Sequence, residues 1–272
     1  MTVDGALALA RSLGVARLDA MVLLAHHLDR SREWLLAHGE QPLDESARIG
    51  FEDDCRRRAD DIPLAYLTGV REFHGLSLKV DRSVLVPRPD TETLADWAIE
   101  CLRELSATTP RPRVVDLGTG SGALALAIAH ACPQAVVTAT DSSEAALAVA
   151  ARNALQLGLS VRWRAGDWWS AVAGERFDMA VVNPPYVAAG DPHLRALRHE
   201  PQQALVAAES GLAALRRIAT GARSHVTGWL LLEHGWDQAD AVRNLLQHAG
   251  FTDIATRRDL HDQERCSGGR AA

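Results

Sequence analysis

The chain has 272 residues, 47% of them apolar, which is enough for a large core and predicts two unequal domains. A formal net charge of −6 argues against a polyanionic partner, so no direct nucleic-acid binding is expected. Cys55, Cys101, Cys132 and Cys266 are scattered without C-x-x-C spacing and no histidines cluster, which argues against a disulfide framework and a structural metal.

The opening stretch MTVDGALALARSLG carries Asp4 and no basic leader, and no apolar run approaches the roughly 18 residues of a membrane span, so a cytoplasmic protein with no membrane partner is expected. Residues 1 to about 60 repeat a helical pattern. LALARSLG ends at Gly14, LDAMVLLAHHLDR has helical spacing, SREWLLAHG has Ser31 as cap and Gly39 as stop, and a fourth helix starts at Asp44. Next, LSLKVDRSVLVPRP alternates like a hairpin turning at Asp81 and Arg82 and ending at Pro87 and Pro89. The expected division is a helical domain over 1–73, a hairpin linker over 74–89 and an α/β domain over 90–272. The linker's position suggests that the helical domain grips a macromolecular substrate. Its plainer role would be packing or dimerisation.

From Arg113 onward, RVVDL, AVVTATD, VRWRAGD, FDMAVVN and GWLLLEH read as short apolar strands. The helical segments ALALAIAHA, SEAALAVAARNALQLG, SGLAALRRIATGA and WDQADAVRNLLQHAG alternate with them. Such alternation predicts a doubly wound, Rossmann-like sheet, with ligands outside the carboxyl ends of its strands.

DLGTGSG follows the first of these strands and opens a helix. Its Gly118, Thr119, Gly120, Ser121 and Gly122 have G-x-G-x-G spacing rather than the dinucleotide G-x-G-x-x-G, with backbone N–H groups expected to face a ligand. Asp116 before them suits a ligand with an ammonium group. Asp141, about 20 residues past the glycines, can accept both hydroxyls of a ribose, and Asp167 can accept from an adenine amine beside Trp168. Each acid singly is better explained as a helix cap or solvated loop residue, and the tryptophans are equally well explained as packing. Three acids at three successive strand ends together describe S-adenosyl-L-methionine.

VVNPPY ends another strand in a stiff segment that no helix can use. Beside a sulfonium methyl, the Asn183 side-chain oxygen and the Pro184 carbonyl can each accept one N–H of a planar NH₂ group. Pro185 stiffens the segment and Tyr186 is placed as a wall of the pocket. Asn183 thus faces both cofactor and substrate.

The blocks PLAYLTGVREFHGLSLKVDRSVLVPRPDTE, VVDLGTGSGALALAIA, VVNPPYVAAGDPHL and RHEPQQALVAAESGLAALRRI, spanning about Pro63 to Arg265, resemble the bacterial protein-glutamine methyltransferases of the HemK/PrmC type. The resemblance implies a class I S-adenosyl-L-methionine-dependent methyltransferase domain behind a helical domain and a hairpin. It implies methylation of the side-chain amide of the glutamine in the Gly-Gly-Gln loop of peptide chain release factors. By position, it implies that Gly118 to Gly122, Asp141 and Trp168 bind cofactor and that Asn183 to Tyr186 hold the glutamine. Two departures stand out: His74 replaces a bulky aromatic, and the tail ERCSGGRAA predicts a short final edge strand. Competing readings are a glutamine methyltransferase for a ribosomal protein, an adenine-amine DNA methyltransferase, and a cofactor-binding interaction protein that has lost its chemistry.

Overall fold

Ser31 and Asp44 cap two of the first helices in a computed structural model that describes residues 1–272. The chain divides into two units, Met1–Val70 and Arg71–Ala272. The first unit holds α1 (Val3–Ser12), α2 (Arg17–Leu28), α3 (Arg32–Ala37), α4 (Glu45–Ala59) and α5 (Leu64–Thr68). Side-chain caps fix three of these starts: Thr2 accepts from Gly5 N at 3.2 Å, Ser31 from Trp34 N at 3.2 Å and Asp44 from Ala47 N at 2.7 Å. α5 was not anticipated; it starts after Pro63 and stops at Gly69, which takes a left-handed φ of 71°. Leu23, Leu24, Leu35, Phe51 and Cys55 fill this unit's core.

The hairpin differs from expectation. It pairs β1 (Val70–Phe73) with β2 (Leu76–Lys79) and turns at His74 and Gly75, whose φ angles of 51° and 76° are those of a two-residue hairpin turn. The Asp81–Arg82 turn exists, since Asp81 accepts from Ser83 N and Val84 N, but no strand returns after it. Val84 and Val86 are buried there, and the Val86 N–H is taken by Glu200, so the alternation imitated a strand without a ladder. Phe73, Leu76 and Leu78 join the core of the second unit, and Asn153 ties Lys79 to the Ser121 carbonyl.

The second unit continues with α6 (Glu92–Leu105), β3 (Arg113–Leu117), α7 (Ala123–Ala131), β4 (Val136–Asp141), α8 (Glu144–Leu157), β5 (Arg162–Ala165) and β6 (Phe177–Val182). It ends with β7 (Val187–Ala188), β8 (Val206–Ala207), α9 (Ala213–Ala222), β9 (Val226–Glu233), α10 (Ala239–His248), β10 (Phe251–Arg258) and β11 (Glu264–Ala271). A seven-stranded sheet runs β10-β11-β9-β6-β3-β4-β5. Its β3, β4, β5, β6 and β9 are parallel, while β11 is antiparallel to both neighbours. β7 and β8 form a separate parallel pair.

The central strands are apolar throughout because both faces are covered. Val114, Met179, Val181 and Leu231 face a core shared with α6 and α7, whereas Val115, Ala180, Val182, Leu230 and Leu232 face one shared with α9 and α10. Each large buried side chain contributes about 1.5–3 kcal/mol by leaving water. The tail is also a correction: β11 spans eight residues and lies inside the sheet, while β10 forms the edge. Gly268 and Gly269 weaken it as an isolated strand, but their missing side chains admit Trp97 and Leu231 beside one and Phe251 beside the other. No helix is long and apolar enough to cross a membrane.

Candidate functional site

β3 lies between β4 and β6, and connections leave its two sides in opposite directions, so a crevice opens at the carboxyl ends of β3 and β6. Here a cleft is lined by Asp116, Gly118, Thr119, Gly120, Ser121, Asp141, Asp167, Trp168, Asn183 and Pro185. Gly122, Pro184 and Tyr186 are outside this lining. Gly122 starts α7 with a φ of 87°, where a Cβ would press on Leu126 and Ala150.

The glycine turn is held more tightly than its sequence suggested. Gly118 N and Thr119 N both donate to the Thr140 carbonyl, at 2.9 and 2.8 Å, and Gly120 N donates to Asp141 Oδ2 at 2.9 Å. These N–H groups are therefore already committed to β4 rather than offered to a ligand. What the turn offers is close approach, with Trp168 packed over Gly118. Trp168 itself has a φ of 48°, a costly conformation for an aromatic residue that places it at the cleft.

Asp116 is buried at the end of β3, and its Oδ2 accepts from Thr119 Oγ1 at 2.6 Å and Ala125 N at 3.2 Å. Its Oδ1 is buried with no hydrogen bond. Burial pushes this carboxyl up to about 7, with Asp141 adding to the shift while Thr119 and Ala125 oppose it. An orphaned carboxylate oxygen beside a cleft is the partner that a ligand's ammonium group needs. Asp141 Oδ1 accepts from Ser143 N at 2.9 Å, so both its oxygens hold backbone while keeping lone pairs for further donors. Asp167 is exposed and paired with Arg217 at 2.6 Å. The cleft is thus lined by carboxylates, which suits a cationic ligand.

At the end of β6, Asn183 Nδ2 donates to Thr91 Oγ1 at 3.1 Å, which keeps Oδ1 as an acceptor at the cleft. Pro184 is buried. Tyr186 turns inward: its hydroxyl donates to Glu233 Oε1 at 3.1 Å, and its carbonyl accepts from Gln238 Nε2 at 3.1 Å. Burial pushes the phenol pKa up, and Glu233 adds to that, so the hydroxyl stays protonated. Glu233 is also pushed up, to about 7, chiefly by burial, against the lowering effect of the Thr91 and Tyr186 hydroxyls and Arg265. Its Oε2 makes no hydrogen bond.

Several residues missed in the sequence complete the site. Glu200 accepts from Val86 N at 3.0 Å and Arg88 Nη2 at 2.5 Å, fastening the segment between β7 and β8 to the cleft wall that contains Pro87 and Arg88. Its signal was a lone acid in RHEPQQAL, and that of Glu233 was a charge closing the apolar run WLLLE. Thr91 had only a place before a helix, and that helix, α6, had gone unread despite Leu94, Ala95, Ala98 and Leu102 at helical spacing.

Residues 95–212 match the family described as methyltransferase small domain, and residues 4–69 match that described as PrmC N-terminal domain. Over 270 residues the chain is 50% identical to a release factor glutamine methyltransferase of Xylella fastidiosa strain Temecula1, covering 97% of each chain. Over 261 residues it is 50% identical to the protein of that name from Bordetella pertussis, covering 94% of this chain and 95% of the relative. Among solved structures, a methyltransferase from Pyrococcus furiosus superposes with a TM-score of 0.52 at 17% identity, over 72% of this chain and 89% of the other.

Proposed function

The chain belongs to the release factor glutamine methyltransferases, and from that premise we propose that its cleft binds S-adenosyl-L-methionine and presents the glutamine of a release factor's Gly-Gly-Gln loop to it at Asn183 and Pro184. Asp116 would hold the cofactor's ammonium group, Asp141 its ribose hydroxyls, and Trp168 with Asp167 its adenine end. The observation that carries this assignment is the unpaired, buried Asp116 Oδ1 at the cleft. The cofactor supplies an electrophilic methyl group on a sulfonium.

An amide nitrogen is a poor nucleophile because its lone pair is delocalised. Asn183 Oδ1 and the Pro184 carbonyl each accept one N–H of the glutamine NH₂, which sets the direction of that lone pair. The same two acceptors bind more strongly as positive charge grows on nitrogen, so they favour the transition state over the ground state. Backbone supports this geometry, because the prolines cannot fold back into a helix and Gln238 holds the Tyr186 carbonyl.

The relatives' shared name favours a release factor over a ribosomal protein or DNA as acceptor. Incubation of the protein and methyl-labelled cofactor with unmodified release factor, a ribosomal protein pool and DNA tests this. Label on the Gly-Gly-Gln glutamine is expected, and label confined to another acceptor would overturn it.

A further inference from the structure

Asn183 works only with its oxygen toward the substrate, yet a primary amide has nearly the same shape when its two ends are exchanged. Its Nδ2 donates to Thr91 Oγ1, and Thr91 is almost fully buried. A threonine hydroxyl has one proton. If that proton points at Asn183, the amide oxygen is drawn to Thr91 and the NH₂ end is left for the substrate. Two NH₂ groups would then face each other, donor against donor.

What decides the hydroxyl's direction lies behind it. Glu233 closes the next strand of the sheet one residue past the Val182–Leu232 pair, which puts it beside Asn183; it is buried at 1% exposure, has Oε1 occupied by Tyr186 and has Oε2 without a hydrogen bond. In its ionised form Glu233 needs a donor at Oε2, and Thr91, bonded to the adjacent Asn183, is a hydroxyl still able to give one. A proton given to Glu233 leaves the Thr91 lone pairs facing Asn183, and only an NH₂ group complements lone pairs.

We propose that Thr91 and Glu233 are positioning residues that fix the amide of Asn183, Glu233 orienting the Thr91 hydroxyl so that Thr91 accepts from Asn183 Nδ2 and Oδ1 is presented to the substrate NH₂. Neither residue needs to touch the reacting atoms. Tyr186 assists by occupying the other Glu233 oxygen, which leaves Oε2 for Thr91. This inference rests on the assignment of Asn183 as the substrate's acceptor.

A double-mutant cycle in the full-length protein tests it, with single-turnover methyl transfer to release factor at saturating cofactor as the readout. Thr91→Val keeps shape and removes the hydroxyl; its rate is expected to fall about 10- to 100-fold, with Thr91→Ser recovering to within about 3-fold of wild type. In an Asn183→Ala background the same Thr91→Val change is expected to cost less than about 2-fold, because there is no amide left to orient. Glu233→Gln should likewise slow the wild-type background and not the Asn183→Ala one, and it carries the test if Thr91→Val does not fold. Equal losses in both backgrounds, or wild-type rates for the Thr91 and Glu233 variants, would overturn the proposal. A normal rate for Asn183→Ala alone would instead remove the underlying assignment of Asn183, which keeps the two failures distinct.

Discussion

Asp116 has one oxygen committed to its own turn and one committed to nothing, and that asymmetry makes its charge conditional. Its folded pKa of about 7 lies above the ordinary 3.8, so between those values the folded protein without cofactor holds a proton that the unfolded chain has released. Stability from this group is therefore greatest at low pH and falls as pH rises toward 7. Cofactor binding has the opposite dependence, since an ammonium group requires the carboxylate. Calorimetric titration should find affinity about tenfold weaker at pH 6 than at pH 8, levelling off above that. Asp116→Asn should flatten the profile and weaken binding by about 1–3 kcal/mol. An unchanged affinity in the variant would remove Asp116 from the cofactor site. At this scale the sequence was informative where residues are local to a strand end, since most of DLGTGSG and part of NPPY line one cleft. It was silent on Thr91 and Glu233, because Thr91 meets Asn183 across 92 positions and Glu233 meets Tyr186 across 47.

Elements position these residues by close backbone approach. Gly211, just before α9, has a φ of 88°, and a Cβ there would collide with the Tyr186 carbonyl and the Gln238 amide. Gly211→Ala should thus both strain its own backbone and displace the segment after Asn183. A loss of about 1–3 kcal/mol in thermal stability is expected, together with slower methyl transfer at saturating cofactor. Full stability and activity would show that the turn yields without cost. Of the strands that were legible, β3, β4, β6 and β9 are apolar runs covered on both faces, while β5, read from VRWRAGD, is a largely exposed edge strand. Those misread owe their state to neighbours: β11 is held by pairing on both sides despite Gly268 and Gly269, whereas Val80 to Val86 alternate like a strand but have no partner strand, with Glu200 taking the Val86 N–H. The hairpin's true signal was the His74–Gly75 pair, where two left-handed residues in succession close a tight turn.

Over the whole molecule, the cleft is built from the second unit, since its lining runs from Ser83 to Ala204. We propose that the first unit grips the release factor. Residues 71–272 alone should then keep much of the cofactor affinity while losing methylation of intact release factor, with thermal unfolding used to verify that the fragment is folded. Equal turnover by a folded fragment would make the helical unit dispensable for recognition. The central claim concerns a single amide: Asn183 holds the glutamine nitrogen in line for methyl transfer. Its most direct test is the single-turnover rate of Asn183→Ala with release factor at saturating cofactor. A fall of about 100-fold or more with cofactor affinity retained is predicted, and a rate near that of the wild type would contradict the account.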